Sequence, residues 1–90
     1  MSFHLKIVTA EKVLIDEDVN SFKTSGTDGQ FQILTDHSPL IALTVPCQTE
    51  YLTKTGEKRT IPTSSGILKF FNNDLLLITD AEPAVKERTV

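Results

Sequence analysis

The chain has 90 residues, of which 39% are hydrophobic and 23% charged, and its formal net charge is −3. This length predicts one domain, and the composition is that of a globular protein rather than a disordered one. The lysines and arginines form no cluster, which argues against nucleic acid as a main partner because phosphate binding requires a basic face.

Neither a membrane span nor an internal disulfide is predicted. The longest apolar string, residues 75–78, has the length of a strand, whereas a spanning helix needs about 20 apolar residues. The single cysteine, Cys47, has no partner for a disulfide within the chain. Residues 1–6 lack the charged-then-apolar pattern of a secretory leader, so we expect membrane association only through partners.

Apolar alternation predicts three strands in the first 25 residues. Phe3, Leu5 and Ile7 share one face of the first strand. Residues 13–15 are predicted as a short apolar strand and residues 19–25 as another. The Asp-Glu-Asp sequence between them predicts a solvated acidic bend rather than a cation site.

Residues 26–40, GTDGQFQILTDHSPL, combine a turn, a short strand and a polar loop that ends in proline. Asp28-Gly29 favours a hairpin turn, because glycine takes positive φ without steric cost. Phe31 and Ile33 alternate with polar residues and are therefore predicted to share one face of a strand.

The second half of the chain predicts further short strands at residues 41–45, 48–54, 57–63, 67–71 and 75–79. The expected fold is all-β, a small antiparallel β-sandwich or flattened barrel of about ten short strands with no substantial helix. We expect this domain to span residues 1–80 and residues 81–90 to form a short carboxy-terminal tail. The predicted core includes Phe31, Ile33, Leu43, Ile67 and Leu77.

No motif predicts an enzyme active site. Asp36-His37-Ser38 has the residue types of a hydrolase triad, but sequential neighbours point in different directions. His4, His37 and Cys47 lack metal-ligand spacing, and Cys47 is predicted as a small apolar core residue. The turn at residues 26–29 lacks the lysine of a phosphate loop. We therefore predict no catalytic, metal, nucleotide or cofactor site, and a binding role for the polar loops.

The central stretch resembles the amino-terminal domain of the epsilon subunit of rotary ATP synthases. Two further segments match that family, FHLKIVTAEKVL at residues 3–14 and SSGILKF at residues 64–70 followed by an apolar strand and Asp80. The positions of the central stretch at family spacing are Gly26, Gly29, Phe31, Ile33, His37, Pro39 and Leu40.

The chain also departs from the family pattern. Thr35-Asp36 and Pro46-Cys47 stand where the family usually has Pro-Gly, and Gln30 replaces an acidic residue. Typical members continue into a helical hairpin that can restrain ATP hydrolysis or bind nucleotide. Residues 81–90 are too few for two packed helices, so we expect neither property of these 90 residues.

The resemblance implies a non-catalytic rotor subunit that couples proton flow to ATP synthesis. Its implied partners are the gamma subunit and the c-ring, at the cytoplasmic face of the bacterial inner membrane. By motif position, the implied gamma contacts are Thr9, His37 and Ala42. The implied c-ring contacts are Asp28, Gly29 and Gln30.

A second interpretation is a free-standing β-sandwich module that binds a peptide or carbohydrate. Such a module would usually offer exposed aromatic side chains for stacking. The chain has no tryptophan, and its aromatic residues mostly fit buried strand positions.

Overall fold

A computed structural model of the chain describes residues 2–80, and every regular element within that range is a β-strand. Residues 81–90, the expected tail, lie outside the described residues. The eight strands are β1 (Phe3–Val8), β2 (Val13–Gly26), β3 (Gly29–Leu34), β4 (Leu40–Thr44), β5 (Cys47–Thr53), β6 (Lys58–Thr63), β7 (Gly66–Phe71) and β8 (Asp74–Thr79).

The strands form one sheet that folds over a common core, because β2 pairs along both of its edges. Strands β1, β8, β7, β4 and β2 follow one another, and β2 also pairs with β1, which closes a ring. The second half of β2 pairs with β3 and β5, and β5 pairs with β6. All pairs are antiparallel except β1–β8, which is parallel. The predicted all-β sandwich is confirmed, with eight strands instead of about ten.

The predicted acidic bend at residues 16–18 is wrong, because these residues lie inside the continuous strand β2. Strand β1 supplies their pairing partners, with Lys6 opposite Asp16 and His4 opposite Asp18. Asp16 and Asp18 are two residues apart and share the outer face, where carboxylates stay hydrated. The acidic side chains therefore do not interrupt β2, and they lie on its solvent-exposed face.

Eleven buried apolar residues from six strands form the core, and the edge of the Phe3 ring meets Phe70 at a centroid distance of 5.5 Å. Ile33 and Leu77 are fully buried as predicted, and Phe31 is partly buried against the core. The buried set is Phe3, Leu5, Ile7, Val19, Phe22, Ile33, Tyr51, Leu68, Phe70, Leu75 and Leu77.

Leu43 and Ile67 were predicted in the core, and that prediction is wrong. Leu43 is 58% exposed and Ile67 is 50% exposed. Ile67 precedes Leu68, which is fully buried, and neighbours in a strand point to opposite faces. The core of this sandwich therefore takes the even-numbered apolar residues of β7 and leaves the others outside.

A layer of buried hydroxyl groups joins β2, β5 and β6. The Thr49 hydroxyl lies 2.9 Å from that of Thr24 and 2.8 Å from that of Thr63, and all three residues are buried. The Cys47 sulfur lies 3.3 Å from the Thr24 hydroxyl. Burial raises the pKa of the Cys47 thiol, but hydrogen bonds from Thr24, Thr49, the Ser25 backbone and Thr63 outweigh burial and lower it. Cys47 is thus half-buried among hydroxyls, not in the apolar core as predicted.

Gly66 begins β7 where the backbone passes close to β8. A Cβ at this position would lie 2.1 Å from the carbonyl oxygen of Ile78 and 2.9 Å from the Cα of Thr79. Backbone atoms leave no room for any side chain here, which gives the glycine of SSGILKF a physical reason.

The alternation in β7 predicts opposite results for two neighbouring alanine substitutions. Leu68→Ala should lower the free energy of unfolding by about 2–5 kcal/mol, because it leaves a cavity in the core. Ile67→Ala should lower it by about 1 kcal/mol or less, because half of that side chain is already in water. Urea unfolding of both variants checks this, and equal losses would contradict the assignment of faces.

Candidate partner-binding site

A groove of about 410 Å³ lies between the β2–β3 turn and strand β4. Asp28 and Gly29 line it on the turn side, and His37 and Ala42 line it on the β4 side. Phe31, Leu40, Ile41 and Leu43 add apolar surface. The structure therefore brings together four of the six residues that the family resemblance implies as contacts.

The position of His37 is fixed by a link between two loops. The Asp36 backbone N–H donates to the Asn73 side-chain oxygen at 2.7 Å, and the Asn73 amide donates to the Asp36 carboxylate at 2.9 Å. His37 Nδ1 then donates to the Ser38 carbonyl at 2.7 Å, and its ring meets the Phe70 ring edge-on at 5.9 Å. Asp36, His37 and Ser38 therefore do not form the hydrogen-bonded relay of a hydrolase triad, because the Asp36 carboxylate accepts from Asn73 and not from His37.

The remaining two implied contact residues lie outside this groove. Gln30 is exposed on β3, one residue beyond Gly29, whose φ of 121° makes the turn possible. Thr9 lies in the β1–β2 turn, where its side-chain oxygen accepts from the amides of Glu11 and Lys12 at 3.3 and 3.2 Å. Thr9 is therefore separated from His37 and Ala42.

A row of exposed apolar residues connects the groove to the Thr9 turn across the outer face of the sheet. Leu43 is opposite Ile67, Ile67 is opposite Ile78, and Ile78 is opposite Val8. Val8 is opposite Val13 on β2 and is followed by Thr9. Four members are 48–58% exposed, and Val8 is half-buried. We call Leu43, Ile67, Ile78, Val8 and Val13 the apolar row; it runs from the groove to the Thr9 turn.

Sequence reasoning missed the apolar row, although β7 contains a signal for it. The segment from Ile67 to Phe71 has apolar side chains on both faces of the strand, interrupted only by Lys69. An antiparallel sheet with a solvated outer face commonly alternates apolar and polar residues along each strand. Apolar residues on both faces of β7 are therefore the sequence feature that corresponds to the apolar row.

The rest of this outer face changes from apolar to charged. Next to the apolar row lie Ile41, Lys69, Leu76 and Lys6, which are again opposite one another across β4, β7, β8 and β1. A third line of residues on this face contains Phe71, Asp74 and His4. Phe71 is 61% exposed, whereas the other aromatic residues are buried or partly buried.

His4 joins β1 to β2 through two carboxylates. Its Nδ1 lies 2.9 Å from Asp18 and its Nε2 lies 2.5 Å from Asp16. The hydrogen bond to Asp18 raises the pKa of His4 above 6.5, burial opposes the rise, and Asp16 adds to it. The same bond lowers the pKa of Asp18.

Within residues 2–80, no cluster of three or more histidine, cysteine or acidic side chains has the arrangement of a metal site. The same part of the chain contains no helix with the length and hydrophobicity to cross a bilayer.

Residues 2–84 match the family model of the ATP synthase delta/epsilon chain, β-sandwich domain. The chain belongs to this family. The resemblance of its motifs to the epsilon amino-terminal domain is thereby confirmed. An ATP synthase epsilon chain from Clostridium novyi is 36% identical over 80 residues, which cover 89% of this chain and 61% of that protein. The chain spans about three fifths of the length of this relative.

Two solved structures share the fold of this epsilon-type domain. In the mitochondrial ATP synthase of Euglena gracilis, determined with OSCP, F1 and c-ring, the matching chain has a TM-score of 0.81 at 18% identity. The match covers 87% of this chain and 50% of that one. In the central stalk and c-ring of the Tetrahymena thermophila enzyme, the TM-score is 0.72 at 10% identity, covering 94% and 73%.

The His4 contacts predict a pH dependence of stability with a definite sign. Because the pKa of His4 is raised in the folded chain, its contribution is complete below the unfolded pKa of 6.5. It is lost as pH rises from there through the folded pKa. The Asp18 contribution, from a lowered pKa, is lost as pH falls below 3.8 and through its folded pKa.

Unfolding of the parent and of His4→Gln across pH, together with an NMR titration of His4, checks this. The stability difference between the two proteins should be largest at about pH 5–6 and should shrink in alkaline solution. A difference that grows above about pH 8 would contradict the charged pairing.

Proposed function

We propose that this chain is a non-catalytic rotor subunit in the central stalk of an ATP synthase, where it couples proton translocation to ATP synthesis. It binds the gamma subunit across the apolar row and the c-ring at the tip of the β2–β3 hairpin. The observation that carries the proposal is the apolar row, which joins Thr9 to the groove of His37 and Ala42.

The apolar row supports a protein partner because it is continuous over five strands. Scattered exposed apolar side chains are normal on a soluble protein, but a contiguous patch marks an interaction surface. Thr9 follows Val8 near one end of the row, and Leu43 at the other end lines the groove with His37 and Ala42, so a partner that covers the row reaches both places.

The hairpin tip supports a second, smaller contact. Asp28, Gly29 and Gln30 are exposed at the end of the β2–β3 hairpin, where a partner meets them without displacing any strand. Asp28 and Gly29 also line the groove with His37 and Ala42, so the two contact surfaces adjoin there.

The comparisons support the same role. The Euglena and Tetrahymena structures that share this fold are assemblies described with a c-ring, and the Clostridium relative is an epsilon chain. We propose that this chain acts at the cytoplasmic face of a bacterial inner membrane as a peripheral component, without a cofactor of its own, and that residues 1–80 suffice for these contacts.

Charge introduced into the apolar row should weaken binding to the gamma subunit. Ile67→Asp and Ile78→Asp each place a carboxylate where an apolar contact is expected, and affinity should fall at least about tenfold. Leu34→Asp is the matched control, because Leu34 is 51% exposed on β3, away from the row. Titration of each variant with purified gamma subunit measures this, and equal losses for all three would contradict the proposed surface.

A cysteine at the hairpin tip should cross-link to the c-ring in an assembled enzyme. The experiment uses Gln30→Cys in a Cys47→Ser background, with Thr60→Cys on β6 as the control because Thr60 is also exposed. We expect cross-links to the polar loops of the c-ring from position 30 and none from position 60. Cross-links from position 30 to catalytic subunits alone would overturn this placement.

A further inference from the structure

We propose that Lys6 and Lys69 form a paired cationic site for a carboxylate of the partner segment that covers the apolar row. The inference rests on the proposed function and adds the chemistry of the occupant: an extended or helical segment with an acidic side chain next to apolar ones. Nothing in the family resemblance assigns a role to either lysine.

The two lysines face one another across a single intervening strand. Each is directly opposite Leu76 of β8, Lys6 on β1 and Lys69 on β7. Both are exposed on the outer face and line one depression of about 460 Å³, together with Val8, Phe71 and Leu76. Adjacent strands are about 4.8 Å apart, so the two Cα atoms are separated by about 10 Å and both flexible side chains can converge on one carboxylate above Leu76.

Neither lysine forms an ion pair with another side chain in residues 2–80. Asp16, the cross-strand neighbour of Lys6, is instead bound to Nε2 of His4. Asp74 also lines this depression, and no ion pair joins it to either lysine. The His4 contacts thus occupy the nearest carboxylate and leave two ammonium groups available over an apolar floor.

Continuity and charge together favour a protein segment as the occupant. Val8 belongs both to the apolar row and to this depression, so a partner that covers the row extends over the lysines. An anionic lipid surface would also attract two lysines, but Asp16, Asp18 and Asp74 on the same face would repel it. A single carboxylate above Leu76 lies between the two lysines, whereas an extended anionic surface meets all three acidic residues as well.

The test compares two double variants that remove the same charge. Lys6→Gln/Lys69→Gln removes the paired site, and Lys23→Gln/Lys58→Gln removes two lysines that line a different depression, with Glu50. Binding to purified gamma subunit should weaken about tenfold for the first variant at low salt and little for the second. The difference should disappear at about 0.5 M salt, where exposed charges are screened. A carbodiimide should also join Lys6 or Lys69 of the parent to an acidic residue of gamma.

The outcomes separate this inference from the proposed function. If gamma binding falls with Ile67→Asp but is equal for the two lysine variants, the proposed function stands and the lysine site is overturned. If the parent does not bind gamma at all, both are overturned. Sedimentation of the same proteins with phosphatidylglycerol vesicles provides the lipid arm of the test. If the first variant loses binding only to these vesicles, the cationic pair serves a lipid surface and this inference is wrong.

Discussion

The continuous pairing of β2 along both edges is the constraint on which the rest of the structure depends. This strand runs for 14 residues, and its first half pairs with β1 while its second half pairs with β3 and β5. At its end, Gly26 is opposite Thr44, where an added Cβ would lie 3.0 Å from the Leu43 carbonyl oxygen. One strand thereby closes the ring and brings β4 against the β2–β3 turn, which creates the groove.

Closure of the ring also determines which apolar residues of β7 and β8 lie outside the core. Once the core takes Leu68, Leu75 and Leu77, the residues between them in β7 and β8 must face outward. Their register aligns Ile67 and Ile78 with Leu43 and Val8 instead of scattering them. The fold therefore places the apolar residues of β7 and β8 that lie outside the core on one continuous surface. The hydroxyls of the buried threonine layer, by contrast, bond to one another within the chain.

Much of this architecture could be predicted from local signals, and the failures have specific physical causes. The hairpin turn predicted at Asp28-Gly29 joins β2 to β3, and Gly29 has the positive φ that glycine takes without steric cost. The Asp-Glu-Asp segment was wrongly predicted as a bend, because pairing with β1 keeps these charged residues in an extended strand. Leu43 and Ile67 were wrongly predicted in the core, because alternation alone does not show which of two apolar strand faces is buried. The grouping of Asp28, His37 and Ala42 in one groove follows from long-range pairing, which no local pattern contains.

We propose that the partner binds at the outer face of β4, β7, β8 and β1. Hydroxyl-radical labelling of side chains, with and without purified gamma subunit, tests it most directly because it reports the solvent exposure of each residue. We expect reduced labelling of Leu43, Ile67 and Ile78 on complex formation, with unchanged labelling of Leu34. Protection of Leu34 with unchanged labelling of Ile67 and Ile78 would contradict it.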